Sequence, residues 1–521
     1  MQLEKEDMKS GNKFKSSKDV LVRIFLVFLL ITTVTAVLLE FGIPDSRLWK
    51  TEKIIEIQPS EASEINYYKF AIYPPFKQSD KHLHHVIEIL GQMGYKETSM
   101  NNKNWSLLWA HEYPFLKMGP RIRTILPRQM VNHFPGIGFI TSKVDLSTAA
   151  FPFMPKAFRL PEQQAEFLKF AMDNPDSIFV EKNNKHRSIK IRPLNSINLN
   201  ASDCFLQEYV QNPFLVDGHK FDLGVYIVLT SIEPLTVYMY GGDILFRYCP
   251  EKYYPFEAEN INKYVIGNDY LPTWEVPSLI KYFERFGGSM RSSFDAYVRD
   301  QFLDPSVIWV QVEEIVRQTI LSKKNNILKA MQPFKNGKYF ELLRFDLIVD
   351  DKLQVYLMEV NMSPNLSSAH FKPNALLYQQ VLYNVLNLVG VGSPLRIDKR
   401  FFNDEKITSD KNIAVNLNDC AKYACHKSCN KSECDLCLSC LKASEVNILK
   451  AAHYEHLHKM EMKRIFPKTM NMDTDEDEIF DNLTTAICEN ISNMSAESTP
   501  MIKRESVFKL QRHGPRKICL I

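Results

Sequence analysis

Three oxygen-bearing side chains stand close together near residue 350, where a short polar break separates two apolar runs. Asp346 lies in the first run, and Glu359 and Asn361 lie in the second. If residues 351 and 352 form a two-residue hairpin loop, Asp346 faces Leu357 and lies diagonal to Glu359, about 7–8 Å away. Leu357, Glu359 and Asn361 then share one face. These donors suit Mg²⁺, which adds water and phosphate oxygens. The spacing therefore predicts a magnesium site; the alternative is a half-buried hairpin with incidental acids.

A second set of side chains is cationic and suits the phosphates of a nucleotide. Lys182 ends an apolar run, Ile178–Lys182, that predicts a strand, and a basic loop follows at residues 183–187. The chain has neither a P-loop nor a Rossmann glycine fingerprint, so side-chain cations would have to neutralise a triphosphate. The alternative for this loop is an ordinary solvated turn.

Further polar residues follow in an order that favours a nucleotide site. Gln207 and Tyr209 alternate along a strand pattern, where a glutamine and backbone amides could read the edge of an adenine. Lys220 and Asp222 stand two residues apart and therefore share one face of the next strand. Arg247 ends a later strand. Each of these is ordinary surface charge by itself, and only their succession indicates a binding site.

The composition indicates a globular protein with more than one packed unit, since 45% of the 521 residues are hydrophobic. The formal net charge of +3 gives no support for a nucleic-acid partner, and none is expected. Alternating patterns predict an α/β fold. The predicted helices cover His84–Met93, Glu162–Met172, Val307–Met331 and Ala375–Leu388, and the further predicted strands cover Leu223–Thr230, Leu235–Tyr240, Phe345–Val349 and Val355–Val360.

An apolar run near the N-terminus predicts a single membrane anchor at residues 20–39. Lysines precede the run, and Glu40 and Asp45 follow it. This charge bias favours a cytosolic N-terminus and a lumenal or extracellular body, as in a type II single-pass membrane protein. A cleaved signal peptide is the alternative, but no clear small-x-small cleavage pattern ends the run. A cytosolic body is the second alternative.

Cysteines are concentrated in one segment. Six of the ten lie between residues 420 and 440, namely Cys420, Cys425, Cys429, Cys434, Cys437 and Cys440. An even number at close spacing predicts three disulfides in an oxidising compartment, and the spacing also permits zinc. The predicted topology favours disulfides. Sequons at Asn482, Asn490 and Asn493 are consistent with a lumenal side.

From about Trp105 to Gly390 the chain resembles the tubulin tyrosine ligase-like family, whose catalytic unit is an ATP-grasp fold. The matching motifs are Trp105–Trp109, Asn132–Gly136 with Lys143, Met154–Pro161, Gln207-x-Tyr209, Lys220-Phe-Asp222 and Glu359-Val-Asn361. Composition and periodicity, read together with the resemblance, divide the chain into a polar segment (1–19), the anchor (20–39), a linker (40–64), an N-terminal subdomain (65–150), central and C-terminal ATP-grasp subdomains (151–210 and 211–395) and a cysteine-rich, low-order C-terminal region (396–521).

The resemblance implies a reaction as well as a fold. It implies ATP- and Mg²⁺-dependent ligation of L-glutamate, through an acyl phosphate, to glutamate side chains of tubulin tails or of another acidic-tailed protein. It assigns phosphate binding to Lys143, Lys182 and Lys220, adenine binding to Gln207 and Tyr209, and contact with ribose or substrate to Asp222. It assigns Mg²⁺ to Asp346, Glu359 and Asn361, and charge stabilisation during catalysis to Arg247 together with Glu359.

The sequence departs from the family pattern at four places. Gly224 stands where the family has arginine, Arg344 where it has glycine before the metal aspartate, and Ser188 where it has glycine after the basic loop. Tyr264–Asn268 replaces a His-Leu-Thr-Asn segment. These departures predict weak handling of the acceptor, and Gly224→Arg is expected to raise activity if only the missing charge is limiting. The alternatives are a membrane-anchored pseudoenzyme and a ligase for a non-tubulin lumenal protein.

Overall fold

The computed structural model describes residues 68–74, 81–183, 190–192, 197–200, 204–392 and 417–468, apart from residues 432, 433, 435, 436 and 438. The predicted anchor at 20–39, Ser188 and the sequons at Asn482, Asn490 and Asn493 lie outside this set, as do residues 184–187 of the basic loop. Within the described part of the chain, no helix is long and apolar enough to cross a bilayer.

Sixteen strands and eleven α-helices are described. The strands are β1 (Lys69–Tyr73), β2 (Lys96–Glu97), β3 (Leu107–Ala110), β4 (Met130–Val131), β5 (Ala157–Leu160), β6 (Phe179–Asn183), β7 (Lys190–Arg192), β8 (Cys204–Glu208), β9 (Leu215–Val216), β10 (His219–Ile232), β11 (Leu235–Tyr240), β12 (Leu245–Tyr248), β13 (Lys338–Tyr339), β14 (Glu341–Val349), β15 (Val355–Asn361) and β16 (Met462–Phe466). The helices are α1 (His84–Gln92), α2 (Phe115–Ile122), α3 (Gly138–Thr141), α4 (Lys143–Ser147), α5 (Gln164–Asp173), α6 (Pro277–Arg285), α7 (Met290–Asp300), α8 (Ser306–Met331), α9 (Asn374–Leu388), α10 (Leu417–Lys422) and α11 (Ala443–His458).

A parallel five-stranded sheet forms the N-terminal part, in the order β13-β4-β3-β1-β2. All four residues of β3 are buried, as expected for an inner parallel strand whose two faces are covered. Strand β13 comes from residues 338–339, so a late part of the chain completes this early sheet.

A smaller antiparallel sheet, in the order β5-β8-β6-β7, follows in the middle of the chain. Helix α5 covers it through aromatic side chains, and the rings of Phe167 and Phe179 meet edge to face with their centroids 4.9 Å apart. This aromatic contact, with Phe158 beside it, fixes the strand that carries Lys182.

An antiparallel seven-stranded sheet forms the centre of the molecule. Its main path is β15-β14-β10-β11-β16, and β9 and β12 also pair with β10. All nine residues of β14 are buried, including its charged ones. A charged group in such a position must be paired, because an unpaired buried charge costs several kcal/mol or more. The long helix α8 packs against β10, β11 and β15.

The predicted α/β class is confirmed, and the predicted helices and strands lie where the periodicity placed them. The ends of the four predicted helices agree within two residues. Strand β10 extends beyond the predicted Leu223–Thr230 to cover His219–Ile232, and β14 begins at Glu341 rather than at the predicted Phe345. The seven-stranded sheet also includes β16, which comes from the segment that the sequence analysis placed outside the ATP-grasp subdomains.

The predicted register of the hairpin at residue 350 is wrong. Val349 pairs with Val355, so the loop is longer than two residues, and a β-bulge follows between Asp346 and Leu347. The bulge places Asp346 directly opposite Glu359 rather than diagonal to it. Because Leu357 pairs with Leu347, the neighbour of Asp346, it lies on the opposite face from Glu359 and is fully buried.

The cysteine segment forms three disulfides, as predicted. They join Cys420 to Cys437, Cys425 to Cys434 and Cys429 to Cys440. Cystine sulfurs are not available as thiolate ligands, which removes the zinc alternative for these six residues. In a segment with few other buried apolar residues, these bonds supply the cross-links that a small core cannot.

Candidate active site

One face of the seven-stranded sheet carries a cluster of charged side chains. The register pairs Asp222 with Arg247, Gly224 with Asp346 and Asp346 with Glu359. Residues that face each other across a ladder share a side of the sheet, as do residues two positions apart in one strand. Strands β10, β12, β14 and β15 therefore present these side chains to one common space. We call the following group of side chains the acidic cluster: Asp222, Arg247, Arg344, Asp346, Glu359 and Asn361.

Arg247 holds two carboxylates of the acidic cluster. Its Nε and Nη2 atoms donate to the two oxygens of Asp222 at 2.8 and 2.6 Å, and Nη2 also donates to Oδ2 of Asp346 at 3.0 Å. Burial raises the pKa of Asp222, with a further increase from Asp346 and an opposing effect of Arg247. The arginine predicted to act in catalysis is thus fixed in place by two acids.

The three predicted metal ligands converge. The Nδ2 atom of Asn361 lies 3.1 Å from Oδ2 of Asp346 and 3.1 Å from Oε1 of Glu359. Burial alone would raise the pKa of Asp346, but Arg344 and Arg247 outweigh it and hold this pKa at about 2, so the carboxylate is ionised. Two carboxylates and one amide form a donor set that Mg²⁺ accepts, and the side chains present therefore fit the ion. In the described residues no three His, Cys, Asp or Glu side chains form such a group on their own.

Lys143 connects another part of the chain to this donor set. Its Nζ atom lies 2.6 Å from Oε2 of Glu359, and about 30% of each side chain is exposed. Lys143 is the first residue of α4, a short helix whose N-cap Ser142 accepts a hydrogen bond from the backbone N–H of Asp145. The predicted phosphate ligand and the predicted metal ligand are therefore paired with each other.

Burial disfavours the charged form of the two other predicted phosphate lysines. Burial, with smaller contributions from Lys220 and Lys143, lowers the pKa of Lys182 to about 8 against the attraction of Glu359. Burial likewise lowers the pKa of Lys220 to about 8, against the attraction of Asp222. Two ammonium groups that lose protons this readily are suited to an anionic ligand, because an anion would restore their usual pKa.

The residues predicted to bind adenine contact these lysines. The Nζ atom of Lys182 donates to Oε1 of Gln207 at 2.6 Å, and Nζ of Lys220 donates to the hydroxyl of Tyr209 at 3.3 Å. The Nε2 atom of Gln207 donates to the carbonyl of Pro155 at 3.2 Å. The structure thus shows both side chains orienting cations, and adenine binding stays a prediction for them.

Sequence reasoning missed an aromatic wall beside the lysines. Tyr209, Phe256 and Tyr264 pack with ring centroids 5.8–5.9 Å apart, and the carbonyl of Tyr264 accepts a hydrogen bond from Nζ of Lys220 at 3.3 Å. The only sequence signal was that Tyr264–Asn268 departs from the family segment at this place. Aromatic faces next to cations that are predicted to bind phosphate suit the base of a nucleotide.

Another signature proves to be structural. Both polar atoms of the Asn132 side chain bond to the backbone of Ala110, at 2.6 and 2.9 Å. His133 Nδ1 lies 2.6 Å from Oε1 of Glu341, and the backbone N–H of Phe134 donates to the other carboxylate oxygen at 2.9 Å. Because His133 and Glu341 are fully buried, this motif joins the five-stranded sheet to the start of β14.

Comparisons with known proteins show which family the sequence resembles. The model of the tubulin-tyrosine ligase family matches residues 123–398. The chain is 42% identical over 400 residues to a probable tubulin polyglutamylase, ttll-15, of Caenorhabditis elegans, a match that covers 74% of this chain and 78% of that protein.

Two mammalian proteins are similar over a shorter part of their length. The chain is 26% identical to tubulin polyglutamylase TTLL7 of Homo sapiens and 28% identical to tubulin polyglutamylase TTLL6 of Mus musculus, over 339 and 331 residues. Each match covers 58% of this chain but only 37% and 38% of the respective relative.

Proposed function

Because the chain belongs to the tubulin-tyrosine ligase family, we propose that it is an ATP- and Mg²⁺-dependent ligase that joins L-glutamate to glutamate side chains of an acidic protein segment. The overall reaction forms an amide from a carboxylate and an amine and converts ATP to ADP and phosphate. The names of the similar proteins support tubulin C-terminal tails as the first acceptor to test.

One observation carries this proposal. Lys182 and Lys220, whose pKa values burial lowers, accompany an Asp, Glu and Asn donor set and a fixed guanidinium in the same part of the fold. Cations for a triphosphate and oxygen donors for its counter-ion are the two requirements of nucleotide-dependent ligation without a P-loop.

Each side chain has a role that its contacts support. Lys182, Lys220 and Lys143 would bind phosphate oxygens, and Asp346, Glu359 and Asn361 would hold Mg²⁺. When bound, the ion supplies neutralisation of negative charge on the phosphates. Arg247 is already fixed by Asp222 and Asp346, so it can stabilise developing charge without reorganising.

The direct test is glutamate incorporation into purified tubulin by the full chain, followed by mass spectrometry with and without Mg²⁺ and ATP. We expect addition of glutamate units that requires both, and a loss of roughly 10²-fold or more in rate for Glu359→Gln. Asp351→Asn, in the exposed hairpin loop, is the matched control and should leave the rate unchanged. Equal rates for wild type and Glu359→Gln would contradict the proposed site.

A second acceptor class is supported by the three disulfides, which are typical of oxidising compartments. With the predicted anchor at 20–39 and a body outside the cytosol, the substrate would be an acidic lumenal or extracellular protein rather than tubulin. Glycan mapping at Asn482 and Asn490 decides between these acceptors, because only a lumenal body acquires glycans. Unmodified asparagines together with tubulin glutamylation would exclude the lumenal acceptor.

The pseudoenzyme alternative is supported by the charge balance of the site. Asp222, Asp346 and Glu359 are each already paired with a cation. Such a protein would bind ATP without transferring glutamate to any acidic acceptor. Mg²⁺-dependent ATP binding without turnover on tubulin or on acidic peptides would favour this function over the ligase.

A further inference from the structure

Gly224 and Arg344 are diagonal neighbours on the same face of the sheet. Gly224 pairs with Asp346, and Tyr226 pairs with Arg344, across the ladder between β10 and β14. The Arg344 side chain is only 8% exposed. It runs forward along its own strand, so that Nε and Nη2 donate to the two oxygens of Asp346 at 2.6 and 2.8 Å.

The Arg344 side chain passes directly over Gly224. A Cβ atom at residue 224 would lie 3.0 Å from Cδ and 3.4 Å from Nε of Arg344, and 3.3 Å from Cβ of Leu245. These distances are shorter than ordinary contacts between carbon atoms, about 3.5–4.0 Å. A Cβ at 224 would therefore require Arg344 to shift by a few tenths of an ångström, and a longer side chain would compete with it for the same space.

Backbone conformation does not explain this glycine. Gly224 is not among the glycines with positive φ and lies inside a regular strand. Glycine in a strand interior is unfavourable, and it commonly marks a close approach of another group. Here the approaching group is a buried guanidinium, which gives the glycine a specific reason.

The two departures from the family pattern are therefore reciprocal. The resemblance places arginine at position 224 and glycine at position 344, and this chain has the reverse. We infer that the arginine that the family has on β10 is replaced in this chain by an arginine on β14. Arg344 is then the positioning residue that supplies the guanidinium, and Gly224 leaves the space that its side chain occupies. This inference rests on the proposed function, because it assigns a residue to the same site.

Arg344 acts through Asp346. Its two parallel hydrogen bonds fix the plane of a carboxylate that also faces Glu359 and Asn361. A guanidinium stays charged at any working pH, so it keeps Asp346 ionised although that residue is buried. Arg344 and Arg247 thus give the acidic cluster two guanidiniums without an arginine at 224.

The geometry reverses the expectation that Gly224→Arg raises activity. An arginine side chain at residue 224 would enter the space that the Arg344 side chain already fills, and this space has room for only one guanidinium. The single change should therefore lower activity, whereas the same change combined with Arg344→Gly should recover it.

The test is a double-mutant cycle on the full chain with Gly224→Arg, Arg344→Gly and the combination of both. We expect each single variant to lose roughly 10²-fold in kcat/KM. The kcat/KM of the combined variant should be at least about tenfold higher than the value expected if the two losses were independent. Arg344→Lys keeps the charge but not the parallel bonds and should show an intermediate loss. Arg317→Lys, on α8 outside the acidic cluster, is the matched control and should match wild type.

A second readout separates positioning from a merely structural role. Without Arg344 the Asp346 carboxylate loses its two parallel hydrogen bonds, so the Mg²⁺ concentration that half-saturates ATP binding should rise several-fold in Arg344→Gly and return toward the wild-type value in the combined variant. Single effects that do not couple, or an unchanged Mg²⁺ dependence in Arg344→Gly, would overturn the inference while leaving the ligase activity of the wild type in place. Coupled effects on Mg²⁺-dependent ATP binding, together with a wild type that transfers no glutamate, would uphold the inference and contradict the proposed function.

Discussion

Lys143 and Glu359 form an ion pair that joins α4 to β15, with Nζ 2.6 Å from Oε2. Both residues are predicted ligands, one for phosphate and one for the metal. The pair is partly exposed, so it contributes at most about 1 kcal/mol to stability. It can therefore exchange for phosphate and Mg²⁺ at little cost when the nucleotide binds.

Lys143→Met should separate these two roles. Without the lysine, Glu359 loses its cation, so Mg²⁺ binding in the absence of nucleotide should tighten a few-fold, while ATP affinity should fall by roughly tenfold through the loss of a phosphate ligand. Calorimetric titrations with MgCl₂ and with ATP measure both. Lys117→Met, a change at an exposed lysine on α2, controls for loss of charge, and unchanged ATP affinity in Lys143→Met would remove this lysine from the phosphate site.

ATP binding should take up protons above pH 8. The pKa values of Lys182 and Lys220 are about 8 in the free protein, so both lysines are largely neutral at pH 8.5. Bound phosphates raise these values, and each lysine then gains up to about one proton. Affinity should consequently fall as pH rises through 8.

Calorimetry at pH 8.5 in two buffers with different ionisation enthalpies counts these protons. Lys182→Met should reduce the uptake, because one of the two titrating groups is removed. Proton release, or equal heats in both buffers, would show that the lysines do not bind the phosphates.

The contact of α11 with the sheet should weaken as pH rises. Oε2 of Glu455 accepts a hydrogen bond from Tyr238 at 2.9 Å, and burial raises the pKa of this glutamate to about 7, above its ordinary value of 4.5. Below pH 4.5 the group is protonated in both folded and unfolded chains. Between pH 4.5 and 7 the folded chain holds the proton more tightly, so this stabilising contribution is lost as pH rises through 7.

Glu455→Gln removes that dependence. Its free energy of unfolding should exceed that of wild type by about 1–2 kcal/mol at pH 8 and should match it at pH 4. Urea denaturation at both values measures the difference, with Glu445→Gln on the same helix as control. Equal stability of wild type and Glu455→Gln at pH 8 would show that ionisation of the buried Glu455 does not destabilise the folded chain.

The six cysteines from residue 420 to 440 should resist alkylation until a reductant is added, because all six are in disulfides. The thiols of Cys204 and Cys249 are buried and should react only after unfolding. Peptide mass spectrometry assigns each site. Labelling of these six residues in the untreated native chain would contradict the disulfides and, with them, the argument for an oxidising compartment.

The sequence was sufficient to predict the strands and most side chains of the site, but not the register and the hydrogen bonds that join them. Apolar alternation identified β14 and β15 and brought Asp346 near Glu359. It could not reveal the bulge at Asp346, because one extra residue leaves the local composition unchanged while reversing which side chains share a face. Motif order likewise identified Lys182 and Gln207 without indicating that they bond to each other.

Residue type alone also misjudged Arg344. From the sequence, Arg344 is only a departure from the glycine that the family has at this position. The structure explains both Arg344 and Gly224, because the buried guanidinium lies over the glycine. Contacts such as that of Lys143 with Glu359 join residues more than 200 positions apart and depend on how the sheets pack. No local pattern encodes them.

Strand β16 has a consequence for how far the folded unit extends. It pairs with β11 from Val237 to Tyr240, and the backbone N–H of Gly241 donates to the carbonyl of Glu461 at 2.7 Å. The family match stops at residue 398, well before this strand. A chain shortened to the matched region would expose the outer row of hydrogen-bonding groups on β11, a template for the strands of other molecules. The disulfide-linked segment thus connects the family-matched region to β16, the strand that covers the edge of β11 and keeps it from pairing with other molecules.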